Sequence, residues 1–327
     1  MNNKKVSIIA GGAGFIGVNL IFRLLSEGRK VFIIDNMSRG SLKMIKTLNP
    51  IFDEGQFVIS CDCSNSQALS KAFQYIASHG EICEVWHLAA NSDIPAGVSD
   101  ASVDLTDTFM TTLVLLEQMK EHRVPNIHFA SSSAIYGDLG PQVLHENIGP
   151  LLPISNYGAM KLASEALISA SVESYLNIAN IFRFPNVVGV PATHGVILDF
   201  ISKLIATPNE LVVLGDGTQQ KSYLHVSDLV DAMLIIRGRS NFDRVELVNI
   251  GPIDDGISVR SIAEAVIQRV SPKAKITYGV GNKGWVGDVP KFRYSTDKLQ
   301  SFGWIPKLNS SQAVHKAIDE IATQLGV

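Results

Sequence analysis

The fold is decided by one stretch near the start of the chain, Val6-Ser7-Ile8-Ile9-Ala10-Gly11-Gly12-Ala13-Gly14-Phe15-Ile16-Gly17. Its first five residues are mostly apolar and β-branched and predict a buried strand; the glycines predict a tight turn, and a segment of helical period follows. Similar alternation continues along the chain. It predicts strands at 31–35, 57–60, 85–89, 127–130 and 178–182, and helices at 19–27, 67–78, 102–122 and 157–175.

This alternation is typical of an α/β protein with a doubly wound parallel sheet of the Rossmann type. After residue 182 glycine and proline become frequent and the alternation loosens. We therefore expect a first domain over 1–182, rejoined by parts of 222–250, and a smaller C-terminal α/β substrate domain over 183–327.

Composition narrows the class of protein. Apolar residues make up 46% of the 327 residues and charged residues 18%, as in ordinary globular proteins, and the formal charge of −3 gives no reason to expect nucleic acid as a partner. The sequence contains no apolar run approaching the ~20 residues of a membrane span. Cys61, Cys63 and Cys83 fit neither a disulfide framework nor a zinc site, so we expect reduced thiols, no metal and a cytoplasmic location.

The glycine-rich turn predicts a dinucleotide site. Gly11, Gly14 and Gly17, with Phe15 and Ile16 in the same turn, allow the backbone to approach a pyrophosphate, and the helix that follows offers its N-terminal N–H groups to the anion.

Two acidic residues refine this prediction. Asp35, at the end of the second predicted strand, is placed to accept a hydrogen bond from a ribose 2′-OH and would repel a 2′-phosphate, which favours NAD over NADP; nearby Arg39 slightly weakens the preference. Asp62 follows the third strand, where it could bind an adenine amino group or simply cap the loop.

A tyrosine and a lysine, Tyr157 and Lys161, lie four residues apart and hence on one face of a predicted helix. A tyrosine is a weak base at its ordinary pKa of about 10, and a neighbouring ammonium together with a positively charged nicotinamide is expected to lower that value. Upstream, Ser131-Ser132-Ser133 ends a predicted strand, the edge at which parallel sheets bind ligands. A serine there can hydrogen-bond a substrate hydroxyl together with the tyrosine.

Taken together, these motifs resemble the extended short-chain dehydrogenases/reductases, and specifically the NAD-dependent nucleotide-sugar epimerase/dehydratase family, in a UDP-glucose 4-epimerase-like form. The motifs that carry the resemblance are residues 11–17, Asp35-Asn36, His87-Leu88-Ala89-Ala90, Ser131-Ser132 with Tyr136-Gly137, Tyr157 with Lys161, Phe182-Arg183 before Asn186 and Gly189, Gly215-Asp216-Gly217, His225-Val226 with Asp228, and Gly303-Trp304.

The resemblance implies roles for individual residues. Tyr157 would be the general base, Lys161 would hold the nicotinamide ribose, and Ser132 would orient the sugar hydroxyl, with Ser133 as the second candidate. Asn186 matches a position that contacts the substrate diphosphate. Further residues implied in NAD binding are Asn36, Leu88, Ala89 and Ala90.

The chemistry of the sugar is narrowed by two other positions. Dehydratases of the family carry an Asp-Glu pair directly after the catalytic threonine, where this chain has Ser133-Ala134, and neither residue can protonate a leaving hydroxyl efficiently. A 4-epimerase, which oxidises C4 and returns the hydride to the other face, and a 4-dehydrogenase, which releases the ketone, both remain. Family frequency favours the epimerase.

In the C-terminal half the sequence departs from the best-known UDP-hexose epimerases. Their two arginines on the nucleotide diphosphate are replaced by Lys221 and Trp285, which leaves GDP-sugars, including heptoses, and other nucleotide sugars open. His194 either lines the substrate site or is a plain loop histidine.

Two further readings come from other classes: a non-catalytic NAD(H)-binding protein, and a dehydrogenase acting on a sterol or small polyol. The resemblance also implies a homodimer, and a place in the supply of sugars for cell-surface polysaccharides.

Overall fold

The computed structural model describes residues 5–48, 52, 55–140, 142–239, 243–281 and 293–327. The chain divides into two compact units. The first comprises Met1–Gly137, Leu151–Arg183 and Leu234–Val248, and the second comprises Asp138–Pro150, Phe184–Met233 and Asn249–Val327. None of the helices within the described ranges is both long enough and apolar enough to span a membrane.

The strands are, in chain order, β1 Val6–Ala10, β2 Lys30–Asp35, β3 Val58–Ser60, β4 Ile82–His87, β5 Asn126–Ala130, β6 Val143–Leu144, β7 Ile178–Arg183, β8 Asn186–Val188, β9 Glu210–Val213, β10 Gln220–Lys221, β11 Tyr223–His225, β12 Val245–Asn249, β13 Ile257–Ser258, β14 Lys275–Tyr278 and β15 Arg293–Tyr294. The α-helices are α1 Phe15–Ser26, α2 Leu42–Leu48, α3 Ser66–Ala77, α4 Ile94–Ser99, α5 Ala101–Asp104, α6 Thr111–Glu121, α7 Asn156–Ser174, α8 Val196–Ala206, α9 Val226–Gly238, α10 Val259–Val270, α11 Asp297–Ser301 and α12 Ser310–Leu325.

The first unit is built on a seven-stranded sheet of order β12-β7-β5-β4-β1-β2-β3. Six of these strands pair in parallel with their neighbours: β7, β5, β4, β1, β2 and β3. Every residue of β1 is buried, as the continuous apolar run predicts for a strand covered on both faces. The strand order reverses between β1 and β4, so the successive crossovers place helices on both faces, and the predicted Rossmann-type fold is confirmed.

The second unit has its own apolar core, formed chiefly by α8, α10 and α12 with the short strands β9 and β11. Three of its described strand pairs are parallel: β8 with β11, β9 with β14, and β6 with β15.

One segment lies in a different unit from the predicted one. Residues 138–150 were assigned to the first domain, but they belong to the second unit because β6 pairs with β15 and because Asn249 donates from its Nδ2 to the Leu144 carbonyl at 2.8 Å. Residues 234–248 return to the first unit, where β12 lies beside β7.

Two helices also differ from the sequence prediction. Helix α1 begins at Phe15, directly at the glycine turn, four residues before the predicted start. The single helix predicted over 102–122 is interrupted: after α5 the chain forms a π-helix at Leu105–Met110 before α6 begins. Such insertions are common at functional sites, and periodicity does not reveal them.

Candidate active site

The glycine turn between β1 and α1 is shaped by close backbone contacts. A Cβ on Gly11 would lie 2.6 Å from the Ala89 nitrogen, and a Cβ on Gly17 would lie 2.6 Å from the Gly12 carbonyl oxygen. Packing therefore excludes a side chain at both positions. A Cβ on Gly14 would meet only the Gly11 carbonyl oxygen, at 3.4 Å, so the protein itself does not require glycine there.

Gly14 is the N-cap of α1 and has no side chain to cap the first N–H groups of the helix. Those groups, including the N–H groups of Phe15, Ile16 and Gly17, are suited to an anion that approaches over Gly14. The turn therefore fits the pyrophosphate of a dinucleotide.

The loop after β4 lies against this turn, at the point where the strand order reverses. The Leu88 N–H donates to the Ala10 carbonyl at 2.8 Å, and Ala89 is the residue that would collide with a side chain on Gly11. Leu88, Ala89 and Ala90 are each partly buried. Ligands of doubly wound sheets bind at this reversal, so the three residues line the predicted cofactor position.

Asp35 closes the other side of the turn. Its carboxylate accepts from the Ala13 N–H at 2.9 Å and from the Met37 N–H at 2.8 Å. Burial raises its pKa, and these two hydrogen bonds oppose the rise. Each carboxylate oxygen keeps a lone pair that can accept a ribose hydroxyl. Arg39 lies 2.9 Å from Asp93, so its charge is offset by a carboxylate.

The two remaining cofactor candidates have local partners. Asn36 is exposed, and its side chain accepts from the Ser38 N–H at 3.0 Å. One oxygen of Asp62 accepts from the N–H and the hydroxyl of Ser64, both at 2.8 Å, which is the loop-capping arrangement. Adenine binding by Asp62 stays a prediction.

The predicted catalytic residues lie together in the first unit. Ser132 ends the loop after β5 and caps a 3₁₀-helix at Ser133–Tyr136, with its hydroxyl accepting from the Ala134 N–H at 3.2 Å. Helix α7 packs tightly on this turn, since a Cβ on Gly158 would lie 2.4 Å from the Ala134 carbonyl oxygen. Tyr157 is thereby held against Ser132, while Ser133 begins the 3₁₀-helix and is partly buried.

Lys161 lies one turn further along α7 and is buried. Its Nζ donates to the Ala130 carbonyl at 2.6 Å and lies 5.8 Å from the Tyr157 ring centroid. Burial lowers the pKa of Lys161 to about 7, although the Glu165 charge acts in the opposite direction.

In the protein alone, the pKa of Tyr157 lies above its ordinary value. Burial raises it to about 12; hydrogen bonding from the Ser132 hydroxyl lowers it, and the negative charge of Asp104 raises it further. Removal of the phenolate from water outweighs the attraction of an ammonium already bound to a carbonyl. That Lys161 and a positively charged nicotinamide together lower this pKa stays a prediction for the NAD-bound protein.

Asp104 was not predicted and faces the site from the end of α5. Its side chain is fully buried, and its Oδ1 accepts from Asn91 Nδ2 at 2.9 Å. A Cβ on Gly97 would lie 1.8 Å from Asp104 Oδ2, so Gly97 provides the space for the carboxylate. Burial raises the pKa of Asp104.

Glu165 was also missed, although the sequence carries a signal for it. It lies four residues after Lys161, which itself lies four residues after Tyr157, so the three side chains share one helix face. Glu165 is buried and forms an ion pair with Arg183 of β7 at 2.6 Å.

Of the predicted substrate residues, Ser133 lies in the first unit, and Asn186, His194 and Lys221 lie in the second. Asn186 is exposed and pairs in register with Tyr223 of β11, and Lys221 ends the preceding strand β10, two residues before Tyr223. His194 is exposed in the turn before α8, with its Nδ1 2.9 Å from the Thr193 hydroxyl. Trp285 lies outside the described residues.

The model of the NAD dependent epimerase/dehydratase family matches residues 7–251. The UDP-glucuronate 4-epimerase of Thermodesulfobacterium geofontis is 27% identical over 319 residues, covering 95% of this chain and 94% of that protein. The UDP-arabinose 4-epimerase 1 of Arabidopsis thaliana is 29% identical over 296 residues, covering 83% and 68%. A crystal structure of a UDP-galactose 4-epimerase superposes with a TM-score of 0.82 at 30% identity, covering 98% of this chain and 99% of that one.

Proposed function

Because the chain belongs to the NAD dependent epimerase/dehydratase family, we propose that it is an NAD-dependent nucleotide-sugar 4-epimerase. The three relatives act on different sugars, but each is named as a 4-epimerase. The observation that carries the proposal is the placement of Ser132, Tyr157 and Lys161 around one point of the unit that also holds the glycine turn.

NAD would be held by the glycine turn, Asp35 and the loop 88–90, and it supplies the hydride acceptor for oxidation at C4 and the donor for the return step. Tyr157 takes the proton of the C4 hydroxyl and later gives it back to the 4-keto sugar. Ser132 positions that hydroxyl through its hydrogen bond to the same phenolic oxygen. Lys161 stabilises the phenolate and, as the family resemblance implies, contacts the nicotinamide ribose.

The substrate is proposed to be bound by residues of the second unit. Asn186 begins β8, which pairs with β11, and Lys221 ends β10, the strand directly before β11 in sequence; the two residues offer an amide and a cation to a diphosphate. The relatives named above carry UDP in their names, so UDP-sugars are the first substrates to test, followed by GDP-, CDP- and dTDP-sugars. His194 and Trp285 stay candidates for contacts with the sugar or base.

The test is turnover of purified protein on this panel, with the C4 configuration of the product determined by NMR. An epimerase yields the C4-inverted sugar without accumulating free NADH. Equimolar NADH and 4-keto sugar would instead identify a dehydrogenase, and inertness on every nucleotide sugar would contradict the proposal.

Replacing Tyr157 with phenylalanine should lower kcat by about 10²- to 10⁴-fold, because proton transfer is lost, while NAD remains bound. Tyr75→Phe removes a phenolic hydroxyl from α3 and is the matched control, expected to be near wild type. Retained turnover in Tyr157→Phe would contradict the assignment of this residue as the base.

We further propose that the enzyme is a cytoplasmic homodimer that supplies sugars for cell-surface polysaccharides. All three cysteines are free thiols, as is usual in a reducing compartment. Light scattering of the purified protein measures its molar mass and so distinguishes a dimer from a monomer.

A further inference from the structure

A buried polar cluster lies beneath the catalytic residues and is formed by Ser131, Tyr136, Glu165 and Arg183. Glu165 accepts from Arg183 through both of its oxygens, at 3.0 Å from Nε and 2.6 Å from Nη2, and it also accepts from the Ser131 hydroxyl. Arg183 Nη1 donates to the Tyr136 hydroxyl at 3.0 Å. Each of the four side chains is at least nine-tenths buried, so this carboxylate is fully committed to partners inside the protein.

Glu165 is connected to both halves of the catalytic group. Along α7 it lies one turn from Lys161, which lies one turn from Tyr157. Across to the sheet it holds Ser131, the residue that precedes Ser132 and follows Ala130, whose carbonyl binds the Lys161 ammonium. A single side chain therefore contacts the segment that positions the serine and faces the cation that stabilises the phenolate.

The electrostatic role of Glu165 follows from the burial of Lys161, whose side chain is 2% exposed. Burial brings the pKa of Lys161 down to about 7, and the Glu165 carboxylate is the charge that opposes this shift. Without that carboxylate the lysine would lose its proton at a lower pH, and the phenolate would lose its counter-charge near neutrality.

The other groups around Lys161 do not replace this carboxylate. Arg183, on β7, is itself a cation. His87, on β4, stays neutral because burial lowers its pKa to about 3, with the Lys161 charge contributing. Tyr157 is neutral at rest, and Asp104 faces it from α5.

We propose that Glu165 is a positioning residue of the reaction: it keeps Lys161 protonated and fixes the Ser131–Ser132 segment, and Arg183 limits how strongly its charge acts. The inference rests on the proposed function for the role of Lys161, but its central claim concerns a titration that can be measured without substrate.

The two members of the ion pair make opposite predictions, which a purely structural role would not. In Glu165→Gln the remaining Arg183 charge should lower the pKa of Lys161 by at least one unit, a tenfold change in the ratio of ammonium to amine. In Arg183→Gln the unbalanced carboxylate should raise that pKa by a smaller amount, because Glu165 is the charge that acts on Lys161 and Arg183 only offsets it. Glu165→Asp keeps the charge and should remain close to wild type.

The measurement is NMR titration of the Lys161 Cε and Nζ signals in lysine-labelled protein, assigned with Lys161→Arg. A parallel pH profile of kcat should move in the same directions, with Glu165→Gln losing activity at a lower pH than wild type. Shifts of the same sign in both single variants, or no shift, would overturn the proposal.

Folding is checked by circular dichroism, because each single variant leaves a buried charge without its partner. If neither folds, the double variant Glu165→Gln/Arg183→Gln removes both charges together and should still lower the pKa of Lys161; an unchanged titration would then overturn the proposal. An inactive wild type with the expected NMR shifts would contradict the proposed function alone.

Discussion

Asp104 is the charged residue that works against the Tyr157 phenolate. Its buried carboxylate raises the pKa of Tyr157. The protein interior screens the repulsion between this carboxylate and the phenolate less than water would. We expect Asp104→Asn to lower the pKa of Tyr157, so that the pH profile of kcat rises at a lower pH than in wild type. Asn91 can still donate to the new amide oxygen, which keeps the local geometry.

The neighbouring Asp107 provides the control for this prediction. It is exposed on the π-helix and is not among the charges that act on Tyr157, so Asp107→Asn should leave the profile in place. A profile that moves equally in both variants would show that the effect is not specific to the buried carboxylate.

Individual site residues were predictable to different extents. Tyr157 and Lys161 are close in sequence and on one helix, and therefore visible as a pattern. Asp104 lies on another helix, where Gly97 leaves space for its carboxylate, and its charge acts on Tyr157. No local sequence pattern predicts that the two residues lie near each other. The burial that raises the pKa of Tyr157 was not predicted, because sequence shows which charges are near but not how much water is excluded.

At the scale of single elements, glycine has two different purposes in the glycine turn: close backbone packing at Gly17 and space for the cofactor at Gly14. Gly17→Ala would force a methyl group against the backbone of Gly11 and Gly12, and it should lower the free energy of unfolding by about 1–3 kcal/mol. Gly14→Ala should leave unfolding close to wild type, because its Cβ makes only an ordinary contact, but it should weaken NAD binding, since the methyl group would occupy the path of the pyrophosphate.

Chemical denaturation and NAD titration of the two variants, side by side, measure this difference. Equal losses of stability in both, or unchanged NAD affinity in Gly14→Ala, would show that the turn is not the dinucleotide site.

The strands of the sheet were easier to predict than the buried ion pairs that link one strand to other elements. Runs such as Ile8-Ile9 and Phe32-Ile33-Ile34 identify strands buried on both faces. The sequence gives no comparable sign that Glu84 of β4 binds both His128 of β5 and Arg237 of α9. Those partners are far apart in sequence, and only the strand order brings them together.

At the scale of the whole molecule, a preference for NAD over NADP should be measurable as a difference in thermal stability. A ligand present at 100 times its Kd adds about 2.7 kcal/mol to the free energy of unfolding. We expect NAD to raise the melting temperature more than NADP does at equal concentration, because the Asp35 carboxylate repels a 2′-phosphate and Arg39 is paired with Asp93. In Asp35→Asn the difference should narrow, and equal shifts by both nucleotides in wild type would contradict this role.

The division of the chain into units was only partly accessible from sequence. The change in composition near residue 182 falls beside the boundary between Arg183 and Phe184. Residues 138–150 belong to the second unit because β6 pairs with β15. These strands have two residues each and lie far apart in the sequence, so hydrophobic periodicity does not reveal them.

The late return of β12 to the edge strand β7 affects how the protein is made. On the ribosome β7 is complete at Arg183, but its neighbour in the sheet starts only at Val245, after residues 184–244 have been synthesised. During that interval the nascent chain carries a row of unsatisfied backbone donors and acceptors, the type of edge that pairs with other chains. Slow translation of that intervening region would prolong the period in which newly made molecules can aggregate.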